Sequence, residues 1–100
     1  MFNYFENEDA LADKSVILKS YPKGIQKKLV RLVNDILTNP RNKFAIGKPE
    51  ELKYTDIEKW SRELTKKDRI VYSIEPGSVY ELEDEEIIFF DQYLGHFNDK

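Results

Sequence analysis

The sequence predicts an α+β fold, with two N-terminal helices packed on one face of an antiparallel sheet. Three observations carry this. Phe2 to Phe5 reads as a strand, with Phe2 and Tyr4 on one face and Asn3 and Phe5 on the other. Apolar residues then recur at helical spacing from Glu8 to Leu37. After Pro40 the period changes to two and stays there almost to the end of the chain.

The elements follow in order. Phe2 to Phe5 is the first strand. Glu8 to about Ser20 is a helix with a rough stripe of Leu11, Val16 and Leu18. Tyr21-Pro22-Lys23-Gly24 breaks it, and Pro22 suits the first position of a second helix. That helix is the clearest element. Ile25, Leu29, Leu32 and Ile36 form its stripe, and Val33 and Leu37 widen it. Lys23, Lys27, Lys28, Arg31 and Asp35 cover its remaining surface, and Asn39-Pro40 ends it.

Glu51 to Tyr54 is read as a short strand. In the next strand Trp60, Arg62 and Leu64 alternate with Ser61, Glu63 and Thr65. Lys66-Lys67-Asp68 is a tight turn, and Arg69 to Ile74 returns as a strand. Pro76-Gly77 turns the chain again. Val79 to Leu82 and Ile87 to Leu94 are strand-like, separated by the acidic run Glu83-Asp84-Glu85-Glu86. The apolar run Ile87 to Phe90 predicts a central strand buried on both faces.

One hundred residues suit a single domain spanning 1–100, and 13 aromatic residues can fill its core. The chain contains no cysteine. A secreted domain of this size usually relies on disulfides, so the expected compartment is the cytoplasm. The start, MFNYFENEDA, lacks the basic and apolar regions of a signal peptide, and no apolar run is long enough to span a membrane. The net charge of -3 is unevenly spread. Residues 19–53 carry nine Lys/Arg against three acids, and residues 54–100 carry six against twelve. A basic middle permits contact with phosphates, and equally forms an ordinary solvated helix face.

Several chemistries are excluded by the residues themselves. No cysteine and a single His do not make an ordinary zinc site. Neither glycine-rich nucleotide-binding pattern is present, and no serine is marked as a nucleophile for His96. What remains is acid–base chemistry on a phosphodiester. It needs a base, a cation for the charged transition state and an acid for the leaving oxygen. Glu50, Arg69 and His96 are of the right types, although by type alone each also reads as a solvated surface group.

Four segments appear in one order: GKPEELKY at 47–54, WSREL at 60–64, DRIVYSI at 68–74 and GHF at 95–97. Together they resemble the YoeB/Txe toxins of the RelE-like superfamily. The resemblance covers nearly the whole chain. It implies a RelE-like, microbial-RNase-like α+β fold with a twisted antiparallel sheet. It also implies an endoribonuclease (mRNA interferase) that cuts mRNA in the A site of the 70S ribosome without a cofactor, held inactive by a cognate antitoxin. By position, Glu50 matches the general base acting on the ribose 2′-OH, Arg69 the cation at the transition state and His96 the general acid. Lys53 and Arg62 match basic positions near the scissile phosphate, and Phe97 stands where the family has tyrosine, leaving a ring for stacking.

Two residues depart from the family pattern. Phe97 lacks a hydroxyl, and Glu63 stands where many members have a second arginine. These departures favour a second reading, in which the protein cuts weakly or not at all and acts mainly as an antitoxin-binding partner. The sequence leaves the oligomeric state open, a homodimer included.

Overall fold

The computed structural model describes residues 1–53, 56–81 and 85–95. The chain runs β1 (Asn3–Glu6), α1 (Glu8–Ser20), α2 (Lys23–Thr38), β2 (Glu50–Leu52), β3 (Glu58–Thr65), β4 (Asp68–Pro76), a short 3-10 helix (Gly77–Tyr80) and β5 (Glu86–Gln92). The strands form one sheet in the order β1-β5-β4-β3-β2. No helix among the described residues is long and apolar enough to cross a membrane.

Local chemistry sets the helix boundaries. The Asn7 side chain accepts a hydrogen bond from Ala10 N–H at 2.8 Å and so satisfies a donor that helix geometry leaves open. Glu8 and Asp9 lie in the first turn of α1 and Lys19 in the last, each matched to the helix dipole. Tyr21-Pro22 then redirects the chain, and α2 starts directly after Pro22. Leu29, Leu32 and Ile36 of α2 are buried against Trp60, Leu64, Ile70, Tyr72, Ile74, Ile88 and Phe90 of the sheet. Trp60 and Tyr72 are thus core residues. Trp60 donates to Glu58, and the Tyr72 hydroxyl donates to the Pro40 carbonyl at 2.7 Å.

The structure corrects the sequence reading in three places. First, the sheet is mixed. β2, β3, β4 and β5 pair antiparallel, but β1 runs parallel to β5, with Asn3 opposite Ile87 and Glu6 opposite Phe90. A parallel neighbour requires a long crossover, and the two helices supply it. Second, Gly77–Tyr80 forms a 3-10 helix where a strand from Val79 was expected. Gly77 N–H closes the connection on the Glu85 carbonyl, and Glu81 ends the turn at φ 62°. Leu82 lies outside the described residues. Third, the strand expected over 51–54 covers Glu50–Leu52, and Tyr54 is outside the described residues. Ile87, Ile88 and Phe90 are buried as expected, although β4 rather than β5 holds the middle of the sheet.

Strand alternation divides β3 between the two faces. Trp60, Arg62 and Leu64 face the helices, while Ser61 and Glu63 face the opposite, open side. Arg62 is completely buried. Its Nη1 donates to Asp35 on α2 and to the Ile46 carbonyl, and its Nη2 donates to the Asn39 carbonyl. Its Nε has no hydrogen-bond partner among the described residues.

A buried guanidinium stripped of its carboxylate is costly, whereas Asp35, about one-third exposed, can be rehydrated. Asp35→Ala should therefore lower stability by about 3 kcal/mol, and Arg62→Met by only about 1 kcal/mol. Urea unfolding midpoints check this; the reverse order would rule out the assignment of cost to the buried cation.

Candidate active site

The open face carries Glu50 and Arg69. Glu50 is exposed and stands directly opposite Ser61 of β3. Glu51 stands opposite Trp60 and so falls on the other face. Arg69, the second residue of β4, stands opposite Glu63. Its Nε donates to Ser61 Oγ at 2.9 Å, and its Nη2 donates to the Lys48 carbonyl at 2.9 Å and to the Ser61 carbonyl at 3.4 Å. Ser61 thus neighbours both Glu50 and Arg69. One edge of the guanidinium is fixed by the protein. The remaining nitrogen, Nη1, has no hydrogen-bond acceptor among the described residues and lies 3.9 Å from Glu63 Oε1.

The turn before β2 brings the Lys48 carbonyl to Arg69. Gly47 has φ 83°, a conformation L side chains rarely adopt. A Cβ there would also lie 2.7 Å from Leu32 Cδ2 and 3.2 Å from Arg62 Cβ. Glu63 N–H donates to the Gly47 carbonyl at 2.6 Å. Lys48 continues the turn at φ 46°, and its amine lies 3.7 Å from Glu63 Oε1. Lys53 follows β2 and is exposed.

The structure brings Glu50 and Arg69 to one face and places Arg62 elsewhere. The phosphate contact expected of Arg62 does not fit this geometry, because the side chain has no exposed surface and is spent on Asp35 and two carbonyls. His96 and Phe97 lie outside the described residues. Gly95, just before His96, is held at the start of β4, where Arg69 N–H donates to its carbonyl at 2.8 Å.

Two carboxylates fix this last described segment. Asp13 Oδ2 accepts from Tyr93 N–H at 3.0 Å and from Leu94 N–H at 3.1 Å. Asp68 Oδ1 accepts from Gly95 N–H at 2.9 Å. Its other oxygen accepts from the Thr65 hydroxyl at 2.7 Å and the Tyr21 hydroxyl at 3.1 Å. Burial pushes the Asp68 carboxyl up, but the bonds from Gly95, Thr65 and Tyr21 outweigh it and hold the group below its ordinary value of 3.8. Sequence reasoning did not single out Ser61, Asp13 or Asp68 for the site. Ser61 was within reach of the alternation of β3. The two aspartates were not, since the contacts of Asp13 span about eighty residues.

Residues 5–92 match the family described as the YoeB-like toxin of bacterial type II toxin–antitoxin systems. The fold is similar to that of a YoeB/ParE toxin from Agrobacterium tumefaciens, with TM-score 0.75 and 22% identity over 96% of this chain and 100% of that one. It is also similar to the YoeB dimer of Staphylococcus aureus, with TM-score 0.71 and 25% identity over 96% and 98% of the two chains. A third similar structure is the heterotetrameric YoeB-YefM toxin–antitoxin complex of Staphylococcus aureus, with TM-score 0.70 and 23% identity over 97% and 99%. No curated protein sequence matches the chain.

The lowered Asp68 carboxyl stabilises the fold above 3.8, its ordinary value, and that contribution is lost as pH falls through the lower folded-state value. Wild type should thus lose stability below pH 3.8 more steeply than Asp68→Asn. At neutral pH the variant should already be about 1–3 kcal/mol less stable. Urea midpoints measured across this range test both statements, and parallel pH profiles would contradict them.

Proposed function

Because the chain belongs to the YoeB-like toxins of bacterial type II toxin–antitoxin systems, we propose that it is an endoribonuclease that cuts mRNA on the ribosome and so stops translation. The observation that carries this reading is the Arg69 guanidinium, anchored by Ser61 and the Lys48 carbonyl beside Glu50 on a face that the helices leave open. Such an arrangement can bind a phosphodiester and deprotonate a neighbouring hydroxyl.

The reaction uses the substrate's own nucleophile. Glu50 takes the proton of the ribose 2′-OH. The 2′-oxygen attacks the adjacent phosphorus, and the bond from phosphorus to the 5′-oxygen breaks. Arg69 offsets the charge that builds on the phosphoryl oxygens, and the exposed Lys53 is a further candidate cation for the RNA backbone. His96, directly after the anchored Gly95, donates a proton to the departing 5′-oxygen. Phe97 offers a ring for stacking on a base. DNA has no 2′-OH and is inert in this scheme.

An antitoxin is the proposed protein partner, since the similar Staphylococcus aureus toxin is found in a YoeB-YefM complex. The dimer of that toxin makes self-association a further proposal. The reading as a weak or inactive nuclease is favoured by one observation, the Glu63 carboxylate beside Arg69.

Primer extension on mRNA from cells induced to make the protein provides the test. Cuts should appear only in translated message. Glu50→Gln and His96→Ala should each reduce cutting by about 10²–10⁴-fold. Arg69→Lys should cost about 10²–10³-fold, because a single ammonium cannot reproduce the anchored fork. Equal growth and equally intact mRNA with wild type and Glu50→Gln would sink the nuclease reading.

A further inference from the structure

Glu63 has no role in the proposed chemistry, yet it stands at the phosphate-binding end of it. It lies directly across from Arg69 in the β3–β4 ladder. Its Oε1 is 3.9 Å from Arg69 Nη1 and 3.7 Å from Lys48 Nζ. Both cations therefore converge on one carboxylate oxygen. The distances are those of ion pairs without a direct hydrogen bond, so the contact is easily exchanged for a better acceptor.

Glu63 is not needed to orient Arg69. The Nε and Nη2 edge of that guanidinium already donates to Ser61 Oγ, the Lys48 carbonyl and the Ser61 carbonyl. Nη1 is the nitrogen left for an incoming anion, and Glu63 lies next to it. Backbone geometry keeps the carboxylate there, because Glu63 N–H is tied to the Gly47 carbonyl and Gly47 packs tightly on Leu32. An RNA phosphate approaching Nη1 must displace the Glu63 carboxylate or remain beside it.

Building on the nuclease reading, we infer that Glu63 is a built-in anionic competitor for the RNA phosphate at Arg69 and Lys48, and that it attenuates substrate binding. The single carboxylate offsets part of the charge of both cations in the free protein. Its removal leaves the guanidinium in place and releases its charge to the substrate.

The test uses the full chain and a single-stranded RNA oligonucleotide with 2′-O-methyl ribose throughout, which has no free 2′-OH and so resists cutting by this chemistry. Fluorescence anisotropy across a salt series gives affinity and salt slope. Glu63→Gln should bind roughly three- to tenfold more tightly than wild type. Its salt slope should steepen by about 0.7 for each additional phosphate neutralised. The tighter binding given by Glu63→Gln should shrink in an Arg69→Gln background and vanish when Lys48→Gln is added, which a merely structural role would not predict. In ribosome-coupled cleavage KM should fall while kcat is unchanged.

Unchanged or weaker binding by Glu63→Gln, with an unchanged urea midpoint, overturns the role. So does tighter binding that survives removal of both Arg69 and Lys48, or absence of binding by both wild type and Glu63→Gln. If Glu63→Gln fails to fold, Glu63→Thr, which keeps strand propensity, takes its place under the same criteria. Binding is read without any cut. Loss of contrast between wild type and Glu50→Gln cleavage therefore counts against the nuclease alone, and absence of tighter binding counts against Glu63 alone.

Discussion

The buried Arg62 guanidinium is the constraint on which the arrangement of this molecule depends. A cation sealed between sheet and helix must find its acceptors within the protein. Arg62 finds them in Asp35 of α2 and in the Asn39 and Ile46 carbonyls. Those bonds tie the helix, the segment after it and β3 into one unit. Gly47 follows at once, packed against Leu32 and Arg62, and passes its carbonyl to Glu63 N–H. Lys48 then gives its carbonyl to Arg69, and two residues later β2 begins with Glu50. A residue on the helix side of the sheet thus sets the position of groups on the open side.

The two faces of the sheet divide the work. The helix side buries Trp60, Leu64, Ile70, Tyr72, Ile88 and Phe90, and its polar atoms are largely committed to partners. The open side keeps paired and exchangeable charges: Lys59 with Asp91, and Glu63 between Lys48 and Arg69. The chain is brought to the edge of this face by carboxylates together with the core packing of Tyr93 and Leu94. Asp13 and Asp68 accept three successive backbone N–H groups, from Tyr93 to Gly95. Such bonds are directional, so they fix the segment's path more tightly than apolar contacts could.

Much of the fold was legible because hydrophobic periodicity reports which face is buried. The stripe of α2 and the alternation of β3 and β4 needed no long-range information. The parallel pairing of β1 with β5 did, because no local pattern distinguishes it from an antiparallel edge. The expected strand at Val79 failed for a local reason: Pro76-Gly77 opens a turn that extends through Tyr80. Arg62 is the instructive case in the site. The alternation already placed it with Trp60 and Leu64, on the side that faces the helices. Position in a motif argued for a phosphate contact, and the strand period argued for the core. The period was the better guide, because a side chain cannot change face without a shift in register. Glu50 and Arg69 share the open face by the same rule.

The central claim is that this face cuts RNA by way of the substrate's own 2′-OH. The ends of the fragments report on that step directly. Mass spectrometry of RNA cut during translation should find a 2′,3′-cyclic phosphate, or the phosphate it opens to, on the upstream piece and a free 5′-hydroxyl on the downstream piece. Fragments ending in a 3′-hydroxyl and a 5′-phosphate would mean that water attacked and that the other phosphorus–oxygen bond broke. That outcome would contradict the roles of Glu50 as base and His96 as acid.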